Sequence, residues 1–210
     1  MDRLIFRLAD IEEADLVQAI SARAYIPAYT AVIGVAPKPA FEDYRPRNER
    51  GEVWMAALGT EPVGILVMED APNHILIYSV ALEPSHQGKG LAKAILGQAE
   101  RIARGKGKPE LRLYTNQKMR ANLRLYSNCG FSELRRRPHP SRDSDPKHGP
   151  DRDLINDLEP VELNDRQHWF LARVSKGGRC GAKEIMVVWE VSLKTARRDI
   201  QGLQRARLLE

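Results

Sequence analysis

Gln87-Gly88-Lys89-Gly90-Leu91-Ala92 places two glycines and a lysine directly ahead of a stretch with Leu91, Ile95, Ala99 and Ile102 at helical spacing, running to about Arg104. The glycines remove the Cβ where main-chain N–H groups must approach a ligand closely. A side-chain-poor turn emptying into a helix N-terminus grips phosphate, through unpaired N–H donors and the positive end of the helix dipole. Two nucleotide motifs are absent. There is no Gly-x-x-x-x-Gly-Lys-Ser/Thr, and no Gly-x-Gly-x-x-Gly opens a βαβ unit near an N-terminal strand. Taken alone, the turn also reads as a plain strand–helix connector. About thirty residues further on, Asn122 and Tyr126 stand one helical turn apart on the same face of a segment that Gly130 closes.

The elements that must position these residues follow from periodicity and punctuation. Residues 3–8, "RLIFRL", read as a strand, and "ADIEEADLVQAISARAY" as a helix with Asp10 as N-cap. Residues 27–47 hold Pro27, Pro37, Pro39 and Pro46 and read as an irregular loop with short helical turns. "EVWMAAL" and "VGILVME" form a hairpin about Gly59-Thr60-Glu61-Pro62, and "HILIYSVALEP" is a third strand ending at Pro84. "ELRLYT" is a strand, "MRANLRLYSNCG" a helix and "FSELRRR" a strand. The polar stretch from Pro138 to Pro160 reads as a long hairpin returning near Asp153–Leu158, because Leu154, Ile155 and Leu158 are too apolar for a free linker. From Asn164 onward the pattern is helical throughout.

The chain has 210 residues, of which 42% are hydrophobic and 29% charged, enough for one ordinary domain and a small second one. No run of ~18 apolar residues exists to span a membrane, and "MDRLIFRLAD" lacks the apolar core of a signal peptide. Cys129 and Cys180 have neither disulfide nor metal-ligand spacing, which leads us to expect a cytoplasmic protein without a metal site. Residues 160–210 carry ten Lys/Arg against six Asp/Glu, so +4 of the net +5 lies there. Such an excess suits either an anionic partner or a solvated charged face.

The pattern Gln87-x-x-Gly90-x-Ala92 after a strand, followed by Asn122-x-x-x-Tyr126-x-x-x-Gly130-Phe131, resembles the GNAT superfamily of acetyl-coenzyme-A-dependent N-acetyltransferases. The resemblance runs from about Arg3 to about Glu159. The segments "AYIPAYTAVIGVAPKPAFEDY", "VWMA" and "LYTNQKMRANLRLY" are similar to a bacterial branch of it. It implies an α/β (α+β) fold: a mixed, mostly antiparallel twisted sheet with flanking helices over residues 1–160. It further implies that Gln87, Gly88, Lys89, Gly90, Leu91 and Ala92 hold the pyrophosphate of acetyl-coenzyme A, and that the strand Val80-Ala81-Leu82 pairs with its pantetheine.

The chemistry so implied is attack by a primary amine on a thioester carbonyl, collapse of a tetrahedral intermediate and departure of a thiolate. It needs an oxyanion donor, an acid for the thiolate and a way to remove the amine proton. By the resemblance, Tyr126 protonates the thiolate, Asn122 hydrogen-bonds the pantetheine, and a strand N–H from Val80 or Leu82 polarises the carbonyl. Pairing with "LRLYT" should splay apart at this point. For the base, Glu83, Glu42, Asp43 and ordered water all stand open. Tyr25, Tyr29 and Tyr44 are expected to wall the acceptor site, as aromatic rings favour cations, or else to anchor the loop. Tyr78 stands with Ser79 where family members often carry an acid or a hydroxyl.

Residues 161–210 form a small all-helical segment. "VSLKTARRDIQGLQRARLLE" resembles the helix-turn-helix of DeoR-type regulators and of Fic-family C-terminal domains, with Ser192, Thr195, Arg197, Arg198 and Asp199 on the recognition helix. That implies DNA contacts from Lys194, Thr195, Arg197 and Arg198. Glu190 stands where a turn glycine is frequent, Arg207 stands where a helix-ending glycine is common, and the given sequence ends at Glu210 ahead of the usual wing. Docking or homodimerisation is therefore the parallel expectation. The sequence accordingly supports an acetyltransferase, with a DNA-binding regulator that senses acyl-coenzyme A through the same fold as the alternative. Intact Gln87–Ala92, Asn122 and Tyr126 argue against a degenerate fold.

Overall fold

The computed structural model describes residues 3–137, 151–157, 164–175, 180–205 and 209. The chain divides into two compact units, residues 1–103 with 108–158 and residues 104–107 with 159–210. The first unit is built on a seven-stranded sheet: β1 (Leu4–Leu8), β2 (Val53–Leu58), β3 (Glu61–Asp70), β4 (His74–Leu82), β5 (Glu110–Asn116), β6 (Ser132–Arg137) and β7 (Asp151–Asp157). The order is β1-β2-β3-β4-β5-β7-β6. Every neighbouring pair is antiparallel except β4/β5. That parallel pair requires a crossover, which α3 (Leu91–Gly105) supplies. The return strand of the polar hairpin is β7, inserted between β5 and β6 and held by buried Leu154 and Ile155. Leu158 and the hairpin tip at 138–150 lie outside the described residues.

β3 is buried on both faces, and its alternation feeds two cores. Leu66 and Met68 join Ile75, Ile77, Leu111 and Leu113 beneath Ile95, Leu96, Ala99 and Ala103 of α3; α4 (Arg120–Ser127) adds Leu123 and Tyr126 on this face. Ile65 and Val67 join Val53 and Met55 beneath Val17, Ile20 and Ala24 of α1 (Ala14–Ile33). α1 differs from the sequence expectation, since it continues past Tyr25 and through Pro27 to Ile33. Proline removes one helical hydrogen bond, yet the helix is recaptured by buried Ile33 and closed at left-handed Gly34, whose N–H reaches the Thr30 carbonyl (3.0 Å). The irregular stretch is thereby reduced to the span between α1 and α2 (Arg45–Glu49), interrupted by a short turn at Lys38–Phe41.

β4 carries a bulge. Val67 faces Ser79 and Met68 faces Ile77, leaving Tyr78 unpaired. The extra residue inverts the side-chain alternation, so Val80 and Leu82 return to the α3 face with Ile77 while Tyr78 and Ala81 pack on the α1 face. Pairing of β4 with β5 ends at Ile77↔Leu113, whereas β5 continues against β7 as far as Asn116. A wedge therefore opens between β4 and β5 beyond the bulge. Gly64 permits the close packing on its flank, since a Cβ there would lie 2.7 Å from the Ala81 carbonyl oxygen and 2.8 Å from Leu82 Cδ2.

The second unit contains α5 (Asp165–Ser175), α6 (Ala182–Trp189) and α7 (Leu193–Arg205) around Phe170, Ile185, Ala196 and Leu203. Glu184 caps α6 by accepting the Gly181 N–H (2.7 Å), and Ser192 Oγ accepts the Thr195 N–H (3.2 Å) at the start of α7. The junction between these two helices turns at Glu190, which is left-handed at φ 47° where glycine would be at ease. Asp199 is buried and accepts hydrogen bonds from Arg166 Nε (2.7 Å) and Asn164 Nδ2 (3.1 Å), tying α5 to α7. Burial works against its ionisation, but these donors prevail and hold its pKa below the ordinary value.

Candidate active site

At the end of β4 the chain makes one short turn at Pro84–His86 and passes through Gln87 into the glycines. Gln87 Nε2 donates to the Leu82 carbonyl (3.0 Å), bracing the turn against the strand it leaves. Gly88 (φ 74°) and Gly90 (φ 80°) are both left-handed, with open space where a Cβ would be. The Lys93 N–H bonds the Gly90 carbonyl (3.1 Å), while the N–H groups of residues 88–92 reach no main-chain acceptor among the described residues. Lys89 and Lys93 are exposed. His86 Nδ1 lies 3.0 Å from Ser85 Oγ, a local contact within the turn. Five adjacent donors at a helix N-terminus can receive an extended anion such as a diphosphate.

The wedge begins within a few residues of this turn. Val80 directs both main-chain groups into it. Its N–H donates to Tyr25 Oη (3.1 Å), and the Tyr25 hydroxyl donates to its carbonyl (2.7 Å), with Ser79 Oγ at 2.9 Å. The N–H expected to polarise a carbonyl thus bonds a phenol from α1. Ala81, one residue on, directs its main chain the other way, toward Ile65 of β3. Tyr29 meets Tyr25 edge-on with centroids 5.4 Å apart. Tyr126 lies half-buried on α4 with its ring 6.0 Å from Phe131, and Asn122 sits one helical turn before it. Burial, reinforced by Tyr29 and Cys129, raises the Tyr126 pKa and keeps its phenol protonated. Burial likewise raises Tyr25 well above the phenol range, with Tyr29 and Tyr126 adding to the effect. Tyr25 and Tyr29 touch on α1, while α4 carries Tyr126 on the opposite face of the sheet.

Tyr44 does not share that position. It is fully buried, its hydroxyl donates to the Pro39 carbonyl (2.9 Å) with Ser21 Oγ at 3.1 Å, and burial pushes its pKa up to about 12. It anchors the loop, one of the two roles its sequence context allowed. The carboxylates considered as bases are all engaged. Glu83 pairs with Arg23 (2.5 Å), Asp43 with Arg45 (3.2 Å) and Glu42 with Arg47 (2.8 Å).

Glu42 also belongs to a cluster that the sequence did not reveal. The Tyr78 hydroxyl donates to Glu42 Oε2 (2.5 Å), and the Arg47 guanidinium stacks 3.8 Å over the Tyr78 ring. Arg47 is buried and reaches Glu52 (2.7 Å) and Glu69 (2.9 Å) as well. Burial opposes the Arg47 charge, but Glu42 and Glu69 outweigh it and raise its pKa. No local signal marks this group, because Glu42 and Tyr78 are 36 residues apart in the chain.

Among the described residues no cluster of three His, Cys, Asp or Glu could hold a metal ion, and no helix is long and apolar enough to cross a membrane. In the helical unit Lys194, Arg197, Arg198 and Arg205 are exposed along α7. Thr195 instead places its hydroxyl 3.1 Å from Ser192 Oγ in the helix cap, and Asp199 is committed to Arg166.

The sequence model of the Acetyltransferase (GNAT) family matches residues 21–131. N-acetyltransferase 8F1 of Rattus norvegicus is 28% identical over 96 residues, 43% of each chain. The uncharacterized N-acetyltransferase YvbK of Bacillus subtilis is 32% identical over 84 residues, 40% of this chain and 54% of that one. The chain thus spans about half the length, or less, of these curated relatives. Among solved structures, a Bacillus subtilis acetyltransferase in complex with CoA superimposes with a TM-score of 0.60 at 23% identity, covering 74% of this chain and 99% of that one.

Proposed function

The chain belongs to the GNAT acetyltransferase family, and on that premise we propose that it moves the acetyl group of acetyl-coenzyme A onto a primary amine. The observation that carries this reading is the junction of two features. The wedge that opens beyond the Tyr78 bulge leads within a few residues to the unbonded N–H groups of residues 88–92. A diphosphate on those amides would let a pantetheine arm run along the free edge of β4 past Leu82 and Val80, displacing the Tyr25 hydroxyl. The coenzyme supplies an activated thioester. The protein orients it, and direct attack of the amine passes through a tetrahedral intermediate. Tyr126, held protonated by burial, is the acid for the departing thiolate, and Asn122 on the same helical face steadies the pantetheine. Tyr25 and Tyr29 form the wall of the acceptor pocket.

The test is thiol release from acetyl-coenzyme A with a panel of primary amines. At least one amine is expected to drive turnover, and Tyr126→Phe to lower kcat about 10²–10⁴-fold while coenzyme binding persists. A wild-type protein that gives no heat with coenzyme A in calorimetry refutes the reading.

The exposed cationic stripe of α7 favours a second reading, a regulator that binds DNA and senses acyl-coenzyme A through the sheet unit. Its signature is DNA affinity that falls with salt and falls again when Arg197 and Arg198 are replaced together.

A further inference from the structure

We propose that Tyr78 and Glu42 form a proton relay for the acceptor amine, with Tyr78 touching the amine and Glu42 receiving the proton behind it. The inference rests on the acetyl-transfer reading above.

The fold alone gives no reason for this cluster. Buried ion pairs stabilise poorly, because desolvation offsets the attraction. Here Arg47, with its side chain 9% exposed, serves Glu42, Glu52 and Glu69 at once. Arg50 reaches Glu52 from the surface (2.6 Å). Two guanidinium groups against three carboxylates leave one negative charge in surplus, beside the bulge, where it attracts an ammonium group. Arg47 satisfies one oxygen of Glu42 and leaves the other to the Tyr78 hydroxyl.

Position fits the role. Tyr78 is the bulge residue itself, where β4 parts from β5, and it packs on the α1 face, whereas Tyr126 packs on the α3 face. The Tyr114 phenol of β5 lies within electrostatic reach of it across the opening. A thioester in the wedge would therefore meet its acid from one side of the sheet and the amine with its relay from the other.

The step balances. The ammonium N–H proton passes to Tyr78 Oη as the Oη–H proton passes to Glu42 Oε2, which frees the nitrogen pair. The nitrogen pair forms the C–N bond, the C–S bond breaks, and the thiolate takes the Tyr126 proton. Tyr78 ends neutral, Glu42 ends as a carboxylic acid that returns its proton to water, and the second nitrogen proton, lost as the tetrahedral intermediate collapses to the amide, passes through water to restore the Tyr126 phenol. Burial and the Glu42 carboxylate both raise the Tyr78 pKa, which keeps the phenol protonated at rest with its proton directed at Glu42. The other titratable groups facing the pair are Arg47, Glu52, Glu69, Tyr44 and Tyr114.

The experiment compares wild type, Tyr78→Phe and Glu42→Gln, using an amine that the wild type acetylates. Tyr78→Phe keeps the ring beneath Arg47 and removes only Oη, while Glu42→Gln keeps the shape and removes the base. Each is expected to lower kcat/KM for the amine about 10²–10⁴-fold, with KM for acetyl-coenzyme A and the coenzyme-induced thermal shift unchanged. The defect should shrink as pH approaches the amine pKa, and also with hydroxylamine, which is uncharged at neutral pH. Variants with wild-type kcat/KM and pH profile would refute the relay and leave acetyl transfer standing. So would a defect equal for all acceptors and accompanied by lost coenzyme binding, which marks a structural role. A wild type inactive with every amine overturns both readings.

Discussion

Replacing Gly64 by alanine tests whether the opening of the wedge depends on how closely β3 passes beside β4. In a strand this substitution ordinarily stabilises by about 0.4–1 kcal/mol, because it restricts the unfolded chain. Here the added Cβ would lie 2.7 Å from the Ala81 carbonyl oxygen and 2.8 Å from Leu82 Cδ2. Ordinary contact begins near 3.4 Å, so β4 must retreat by about 0.7 Å. Overpacking of this kind costs about 1–3 kcal/mol, which at mid-range exceeds the entropic gain and leaves a net loss of about 1–2 kcal/mol. With a urea slope of about 2 kcal/mol/M, the midpoint falls by roughly 0.5–1 M. The displacement also reaches the turn, because the Leu82 carbonyl holds Gln87. Coenzyme A affinity, measured by calorimetry, should therefore drop several-fold while Tyr126 keeps its environment. A variant as stable as the wild type, with unchanged affinity, would refute the packing argument.

Tyr25→Phe removes the hydroxyl that occupies both main-chain groups of Val80. The ligand-free protein then carries an unsatisfied edge costing about 1–3 kcal/mol, so stability drops while coenzyme A binds about 5–150-fold more tightly; weaker binding in calorimetry would contradict the displacement. Asp199→Asn should lower the stability of the helical unit by about 1.5–3 kcal/mol at neutral pH, the worth of hydrogen bonds to a charged group. Its folded pKa is depressed, so the contribution is complete above the unfolded value near 4 and is lost as pH falls through the lower folded value. Thermal melts followed downward from pH 7 should therefore converge for wild type and variant once pH falls below the folded value, and equal stability at pH 7 would remove Asp199 as the tie between α5 and α7.

Features with local physical causes were legible in the sequence. The β4 strand, the glycine turn and α3 appear in it because period-2 and period-3.6 patterning and left-handed glycines need only neighbouring residues to declare themselves. The mixed sheet and the return strand at Leu154 and Ile155 could be read for the same reason. Pro27 misled, since a local rule ends a helix there, and only the burial of Ile33 and the cap at Gly34 show why α1 continues. Tertiary structure decided the rest. The Tyr78 bulge is an offset between two strands and leaves no mark in either one. Tyr25 on Val80, and Arg47 among Glu42, Glu52, Glu69 and Tyr78, join residues from separate elements. Composition showed that these groups exist. Which of them face one another in a low-dielectric interior, where burial and charge set their protonation, depends on chain packing that periodicity does not encode.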